Sequence, residues 1–203
     1  MKEFVSRCKT SNRRGRIFVL SSPSGGGKTT LALRLLEGVP HLVRSISMTT
    51  RKKRAQEKEG RDYFFVSGKK FDAVKAKRGF LESAEVFGHR YGTPRDSVEE
   101  RLNQGDDVLL VIDVQGARQV RSSCGKQAVL IFVMPPSLEE LKSRLEQRSS
   151  DSEAEVRKRL RQAQKEMACA RWYDYVVENR DLGQALEGLK AVMMAERLKS
   201  EST

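Results

Sequence analysis

The sequence predicts an α/β protein in which helices cover both faces of a central parallel sheet. Three observations support this class. Short apolar runs without alternation recur at residues 17–20, 108–113, 128–134 and 175–177, as in strands that are buried on both faces. Segments with helical spacing separate these runs, which is typical of a parallel sheet. The chain has 203 residues, enough to bury a core of its own.

Helices are predicted after the strands. The first begins near Lys28, with Leu31 and Leu35 on one face. Further helices are predicted over residues 94–104, 137–147 and 182–199. Ser137, followed three residues later by Glu140, is typical of a helix N-terminus with a capping box. These segments, with the strands, define a core of residues 16–43, 94–138 and 166–203.

Three stretches depart from this alternation. Residues 44–93 contain alternating and aromatic-rich segments, which predict a small mixed or antiparallel insertion that is half exposed. Residues 145–165 predict a long charged helix, with a polar and mobile loop at residues 147–152. Residues 1–15 predict a flexible polar lead into the fold.

The composition limits the class of partner and the compartment. There are 39 Lys and Arg against 27 Asp and Glu, so the net charge is +12, which attracts either nucleic acid or small phosphorylated molecules. Three cysteines without C-x-x-C spacing argue against disulfides and zinc, and a reducing cytoplasm is the expected setting. No apolar run approaches the length of a membrane span, and no secretory signal is expected.

Residues 22–29 nearly fit the phosphate-loop pattern G-x-x-x-x-G-K-[ST]. Three consecutive glycines let backbone N–H groups converge at a helix N-terminus, where an anion is favoured. Lys28 can reach the β- and γ-phosphates, and the Thr29 hydroxyl can bind Mg²⁺. Ser22 replaces the first glycine of the pattern. The alternative is a glycine turn without a ligand. The ATP-binding residues predicted here are Ser22, Pro23, Ser24, Gly25, Gly26, Gly27, Lys28, Thr29 and Thr30.

A second basic region lies between Arg44 and Arg61, with seven bases and two acids. Within it, hydroxyl groups stand next to arginines, and guanidinium groups pair with phosphate in a bidentate manner. The alternatives are a solvated surface and a nucleic-acid patch. Composition alone does not decide among these.

Many short motifs in this chain resemble those of guanylate kinases, the enzymes that convert ATP and GMP to ADP and GDP. The matching positions are residues 45–51, Arg54, Glu57, Gly60, 62–63, 80–82, 91–95, 112–117, 135–137, Arg148, 159–160, 174–175 and Asn179. With the phosphate loop, the resemblance runs from about residue 16 to 198. It implies a P-loop nucleoside monophosphate kinase fold, in which residues 44–93 bind GMP and residues 139–165 form a helical lid.

The resemblance also implies roles for individual residues. Arg51, Arg54, Tyr63 and Tyr91 are expected to hold the GMP phosphate, and Ser47, Glu82 and Thr93 to read guanine. Glu57 and Asp113 are further GMP-site candidates, although Asp113 could instead serve Mg²⁺ or cap the helix after it. The expected catalytic residues are Lys28, Arg51, Arg148 and Arg159, with Arg144 as a further candidate for the lid. Asn179 is expected on the ATP side.

The sequence departs from the family pattern at Ser22, Lys53, Val111 and Arg180. Val111 and Arg180 stand where relatives often have acids. The expected substrates are ATP with Mg²⁺, and GMP with dGMP as a further acceptor. No nucleic-acid or membrane partner is expected, and the oligomeric state is left open. The competing functions are a non-catalytic guanylate-kinase-like interaction module, a nucleic-acid-binding P-loop ATPase and a kinase for another monophosphate.

Overall fold

The computed structural model describes residues 13–86, 88–148 and 153–199, with only the backbone at residues 147 and 148. The strands are β1 (Ile17–Ser21), β2 (Leu42–Arg44), β3 (Met48–Thr49), β4 (Phe64–Phe65), β5 (Phe80–Val86), β6 (His89–Pro94), β7 (Asp107–Val111), β8 (Ala128–Met134) and β9 (Tyr175–Glu178). The helices are α1 (Lys28–Gly38), α2 (Gly68–Ala76), α3 (Arg95–Asn103), α4 (Val114–Cys124), α5 (Leu138–Arg148), α6 (Glu153–Met167) and α7 (Leu182–Leu198).

The chain forms two compact units. The first comprises the described residues up to Ile17, together with His41–Val108 and Gln115–Ala128. The second comprises Phe18–Pro40, Leu109–Val114 and the described residues from Val129 onward. The units do not coincide with the predicted core and insertion, because the first unit also takes in α3 and most of α4.

The central sheet has the strand order β2-β7-β1-β8-β9. β8 pairs with β9 in parallel, with Ile131 opposite Tyr175 and Met134 opposite Glu178. All five residues of β1 are buried, as are six of the seven in β8. This burial explains why both strands are continuous apolar runs in the sequence. The predicted α/β class with a central parallel sheet is confirmed.

The second sheet belongs to the first unit and has the order β4-β3-β6-β5. β3 pairs in parallel with β4, whereas β6 runs antiparallel to both β3 and β5, so the sheet is mixed. Helix α2 in the same region was not predicted. It begins after Ser67, whose hydroxyl accepts a hydrogen bond from Lys70 N at 3.3 Å, and it buries Phe71.

The predicted helix at residues 145–165 is wrong at its start. Leu145 belongs to α5, whose N-terminus is capped as predicted, because the Ser137 hydroxyl accepts from Glu140 N at 3.1 Å. A separate helix, α6, begins at Glu153. The two helices bury a shared cluster that consists of Leu141, Leu145, Leu160 and Ala163. Residues 149–152, most of the predicted loop, lie outside the described residues.

Only residues 13–15 of the predicted flexible lead are described. Residues 1–12 lie outside the described residues. Arg13 and Arg14 form ion pairs with Asp107 and Glu99, and Gly15 N donates to Leu102 O at 2.8 Å. Asp107 is a buried acid, so its pairing with Arg13 satisfies a charge that would otherwise be costly to bury. Among the described helices, none is long and apolar enough to cross a membrane.

Candidate active site

Residues 22–29 connect β1 to α1 in the second unit. Gly25 and Gly27 have φ values of +88° and +92°, in the left-handed region that favours glycine. Gly27 is the N-cap of α1, with no side-chain cap bond, and the first turn of this helix contains no acid. The N–H groups of that turn therefore point to a position where an anion would be favoured by both hydrogen bonding and the helix dipole.

Asn179 follows β9 and fixes the loop from the side. Its Nδ2 donates to Gly26 O at 2.9 Å, in a buried contact. A Cβ atom added at Gly27 would lie 2.3 Å from the same Nδ2. Gly27 is thus required both by its backbone angle and by the close approach of this amide. The predicted ATP residue Asn179 lies against the predicted phosphate loop.

Ser22 occupies the position at which the pattern has glycine. Its hydroxyl donates to Pro23 O at 3.1 Å, and the residue is buried. Among the non-glycine residues that the structure describes, only His41 and Arg78 have positive φ. The Ser22 backbone is therefore in a region open to any L-residue, and this position does not require glycine.

Lys28 lies at the start of α1, and its Nζ donates to Ile112 O at 3.2 Å. Desolvation lowers the pKa of the Lys28 amine, whereas the charges of Asp113 and Glu166 oppose that shift. Asp113 lies two residues after the end of β7, so it does not close the strand as predicted. The structure places it with the phosphate-loop residues, in the second unit.

Glu166 was not predicted from the sequence. It lies in the last turn of α6, where Gln162 Nε2 donates to its Oε1 at 3.1 Å. Burial raises the pKa of Glu166, and hydrogen bonding from Gln162, the charge of Lys28 and the Ser24 N–H oppose the rise. A carboxylate in the last turn of a charged helix carries no sequence signal of its own.

An open cavity of about 360 Å³ adjoins the loop within the second unit. Arg144 belongs to its wall, where its Nη2 donates to Asn179 O at 3.4 Å and its Nε pairs with Glu140 Oε1 at 3.1 Å. The wall mixes polar and apolar groups, which suits a nucleoside. The lining residues are Gly25, Gly27, Thr30, Arg144, Asn179, Arg180 and Leu182.

Glu82 and Thr93 form a buried pair in the mixed sheet of the first unit. They are opposite each other on β5 and β6, and Glu82 is only 4% exposed. Thr93 Oγ1 donates to Glu82 Oε1 at 2.6 Å. Ser47 Oγ lies 3.5 Å from Thr93 Oγ1. Since Thr93 has one hydroxyl proton and gives it to Glu82, Ser47 is the donor in this 3.5 Å contact. A hydroxyl in so long a contact can turn to donate to a ligand instead.

Arg51 lies beside this sheet in a second cluster. Its guanidinium donates two hydrogen bonds to the Glu57 carboxylate, at 3.0 and 2.6 Å, and Arg54 N donates to the same group at 2.8 Å. The bond from Arg51 is the main cause of the lowered pKa of Glu57, and the same contact raises the pKa of Arg51. The carboxylate thereby fixes the guanidinium in one orientation.

Aromatic rings complete the Arg51 cluster. The guanidinium carbon is 5.5 Å from the centre of the Tyr63 ring and 5.8 Å from that of Phe65. Tyr63 meets Tyr91 edge to face at 5.8 Å. Burial is the main cause of the raised pKa of the Tyr63 hydroxyl, so it is a neutral donor at neutral pH. The structure thus brings the predicted phosphate-binding residues Arg51, Tyr63 and Tyr91 together.

The family model described as guanylate kinase matches residues 14–196. The chain belongs to the guanylate kinase family. It is 49% identical to the guanylate kinase of Rhodopseudomonas palustris strain HaA2, over 93% of this chain and 86% of that protein. It is 47% identical to the guanylate kinase of Wolbachia pipientis wMel, over 94% of both. The crystal structure of guanylate kinase from Anaplasma phagocytophilum matches with a TM-score of 0.78 and 39% identity, over 93% and 89%.

The two arginines predicted to act from the lid, Arg148 and Arg159, lie on different helices. Arg159 is half-buried in α6. Arg148 is the last residue of α5, and its side chain lies outside the described residues. Sequence reasoning also passed over Arg44, at the end of β2. Its Nε is buried and has no hydrogen-bond partner among the described residues, and its charge acts on Tyr63.

Proposed function

We propose that this chain transfers the γ-phosphoryl group of ATP to GMP, giving ADP and GDP, with dGMP as a further acceptor. The observation that carries the proposal is the buried Glu82–Thr93 pair in the mixed sheet. A carboxylate that is buried and oriented by a hydroxyl is suited to reading a base with two adjacent donors. Membership of the guanylate kinase family supports the same reaction.

Guanine fits this pair because of its donors and acceptor. Its N1–H and exocyclic amine can both donate to the Glu82 carboxylate, and its O6 can accept from the Ser47 hydroxyl. Thr93 then serves to orient Glu82, since its proton is already engaged. Adenine has no N1–H and would deprive the buried carboxylate of that donor from the base, at a cost of about 1–3 kcal/mol. A site built on such hydrogen bonds discriminates strongly against the wrong base.

The GMP phosphate is assigned to Arg51, Arg54, Tyr63 and Tyr91. The fixed fork of Arg51 can present two donors to a phosphate, and the neutral tyrosine hydroxyls can donate as well. Glu57 holds Arg51 in place before the ligand arrives, through the bonds at 2.6 and 3.0 Å. This preorganisation reduces the ordering that binding would otherwise require.

ATP is assigned to the second unit. The N–H groups of the glycine loop and the Lys28 amine would hold its phosphates, and the cavity lined by Thr30 and Asn179 would take its nucleoside. Desolvation lowers the pKa of Lys28, and the charges of Asp113 and Glu166 oppose that shift and so favour the charged amine. A charged amine at this position can stabilise the charge that spreads over the γ-phosphoryl oxygens in the transition state.

The residues present fit a magnesium ion that arrives with the nucleotide. Thr29 is exposed in the first turn of α1, where a hydroxyl can contribute one oxygen ligand. The described residues contain no cluster of three His, Cys, Asp or Glu that could hold an ion alone. Mg²⁺ commonly binds through few protein ligands and the phosphates of the substrate. When bound, such an ion neutralises phosphate charge during transfer.

Residues 139–165 are proposed as a lid, and residues 44–93 as the GMP-binding segment. Arg148 and Arg159 would act from the lid on the transferring group. The Leu141, Leu145, Leu160 and Ala163 cluster links α5 to α6, so these two helices are expected to move as one body. Closure of a lid excludes water, which otherwise competes with GMP as the acceptor.

The other candidate functions are not favoured. An interaction module would not need the phosphate loop, yet Lys28, Thr29 and the two left-handed glycines are all present. A nucleic-acid-binding ATPase would present free bases on a continuous face, whereas Arg51 is paired with Glu57 and packed on aromatic rings. The cytoplasm is the proposed compartment, given the few and unpatterned cysteines.

A panel of nucleoside monophosphates, assayed with MgATP by ADP release, tests the proposal. GMP is expected to be turned over with a kcat/KM at least about 10³-fold above those of AMP, CMP and UMP, since unpaired buried groups separate the bases. ADP release in the absence of any monophosphate is the control for ATPase activity. Equal turnover with and without GMP would contradict the proposal and favour the ATPase.

A further inference from the structure

Gln119, on α4, contacts the backbone of β5 through its side-chain amide. Ser83 N donates to Gln119 Oε1 at 3.0 Å, and Gln119 Nε2 donates to Ser83 O at 2.8 Å. One side chain therefore satisfies both backbone groups of a residue, as a neighbouring strand would. β5 is the last strand in the order β4-β3-β6-β5, so the amide closes part of its free edge.

Ser83 directly follows Glu82, and the strand is weakly held on the other side of that residue. The pairing of β5 with β6 shifts register between Phe80 and Glu82, so Leu81 is an extra residue in the ladder. Phe80 faces Pro94, which has no N–H to donate. The ladder is therefore irregular immediately before Glu82.

The cross-strand partner of Ser83 adds little support. Ser83 faces Gly92, which has no side chain to pack against it. A Cβ at Gly92 would lie 2.8 Å from the Phe80 ring, so this position is restricted to glycine by the packing. At Ser83, next to Glu82, the strand therefore lacks one of the side-chain pairs that normally stabilise a sheet.

The helix that carries Gln119 is firmly packed. Ala117 and Val120, on either side of it, are both buried, while Gln119 itself is exposed. The amide is therefore presented from a fixed backbone. A side chain on a rigid element can hold its partner more precisely than one on a loop.

We infer that Gln119 is a positioning residue that fixes the backbone of β5 and so aims the Glu82 carboxylate at guanine. This inference rests on the proposed function, in which Glu82 accepts from N1–H and the exocyclic amine. Two simultaneous hydrogen bonds to a planar base tolerate little displacement of the carboxylate. Loosening of the strand would affect the second bond first, and with it the selection of guanine over bases that lack the amine.

The test replaces Gln119 and compares GMP with inosine monophosphate, which lacks the exocyclic amine. Gln119→Leu retains the bulk but removes both hydrogen bonds. The expected result is a rise in KM for GMP of about fivefold, with the preference for GMP over inosine monophosphate reduced by a similar factor, as for the loss of about one net hydrogen bond. The kcat value and the KM for ATP are expected to stay unchanged.

Two further variants make the test specific. Ser123→Ala changes an exposed residue one turn later on the same helix face, and is expected to leave all constants unchanged. Gln119→Glu retains an acceptor for Ser83 N but places a carboxylate against Ser83 O, and is expected to behave like Gln119→Leu. In a Glu82→Gln background, Gln119→Leu is expected to cause no further loss of base preference.

An unchanged preference between the two monophosphates in Gln119→Leu would overturn the inference, as would equal losses for ATP and GMP. Either outcome, with an active wild-type chain, leaves the proposed reaction intact. A wild-type chain that does not phosphorylate GMP would instead overturn the proposed function. The two failures are therefore distinguished by the wild-type assay alone.

Discussion

The two candidate nucleotide sites are built from different parts of the polypeptide. The phosphate loop in the second unit offers backbone N–H groups, exposed by Gly25 and Gly27 at the uncapped start of α1. The mixed sheet of the first unit offers side chains that are already bonded to each other, in the pairs Glu82–Thr93 and Arg51–Glu57. The phosphate loop therefore depends on its backbone conformation, whereas the site on the mixed sheet depends on the chemistry of its side chains.

This difference determines what each site can recognise. Backbone N–H groups can bind any phosphate, so we expect the loop to recognise charge and not the base, and to tolerate a change such as Ser22 in place of glycine. Paired side chains read a pattern of donors and acceptors, so each lost group leaves a buried partner unsatisfied. Mutations in the loop should therefore change the rate, and those in the sheet should change the selection of the acceptor.

The largest effect is expected at the one charged side chain of the loop. Lys28→Ala should lower kcat by roughly 10²–10³-fold, as for the loss of one preorganised group that stabilises transition-state charge. The measurement is the coupled ADP-release assay with GMP, alongside the binding of GMP by calorimetry. GMP binding should be retained, because the residues proposed to read its base and hold its phosphate do not include Lys28. Nearly normal kcat would contradict the assignment of the loop.

The next effect tests the side-chain site. Glu82→Gln places an amide donor where guanine also donates, so KM for GMP should rise by about 10–100-fold. The KM for ATP should be unchanged. Glu85→Gln is the matched control, since Glu85 is an exposed acid on the same strand. Equal losses for both substrates would indicate general disruption of the fold and would remove the contrast between the two sites.

The sequence predicts the phosphate loop better than it predicts the paired side chains of the mixed sheet. Strands β1 and β8 are buried throughout, so their apolar runs identify them, and the glycine pattern directly precedes a helix as expected. The phosphate loop is a contiguous segment, and local spacing is enough to find it. The same holds for the Ser137 cap, which acts on a residue three positions away.

Contacts between distant segments are not visible to such reasoning. Glu166 acts on Lys28 from the end of α6, and the charge of Arg44, at the end of β2, acts on Tyr63. The start of α6 was misplaced because the predicted segments 137–147 and 145–165 overlap at Leu145, which belongs to α5 alone. Helix α2 was missed because Phe71 is its one buried residue, so its sequence has no long apolar stripe with helical spacing.

A smaller effect is expected at Glu57, which orients Arg51. Glu57→Gln keeps one acceptor but loses the charge, so KM for GMP should rise by about threefold, the effect of a partly exposed pair. Glu37→Gln is the matched control, because Glu37 pairs with Arg34 at 3.5 Å with both side chains mostly exposed, and its loss should have no measurable effect. An equal effect of both variants would contradict a specific role for Glu57.

The same pair predicts a pH dependence of stability. Arg51 lowers the pKa of Glu57 in the folded chain, so between the folded and unfolded pKa values the unfolded chain binds more protons. The stabilisation is therefore complete above the usual Glu pKa of about 4.3, and is lost as the pH falls through the lower folded value. Urea unfolding of wild type and Glu57→Gln should converge in free energy below that pH. A difference that persists in acid would rule out this ion pair as its source.

The smallest effect is expected at Ser22, where the loop departs from its pattern. Ser22→Gly should change the KM for ATP by less than about twofold, because the Ser22 backbone is already in a region that suits any residue. Stability should fall by about 0.5–1 kcal/mol, through the greater freedom of glycine in the unfolded chain and the loss of the bond to Pro23 O. A large gain in ATP affinity would show that Ser22 strains the loop.

A substitution at Gly26 makes the test of Ser22 more specific, because a Cβ atom at Gly26 would lie 2.0 Å from Ser22 Oγ. Gly26→Ala should weaken ATP binding in the wild-type background, and less so when Ser22→Gly removes the clashing hydroxyl. The two changes should therefore be strongly non-additive. Additive losses would mean that Gly26 is required by the ligand itself and not by its neighbour. In that case the loop would depend on the residue type at each position as strictly as the mixed sheet does. The loop and the sheet would then no longer differ in their tolerance of substitution.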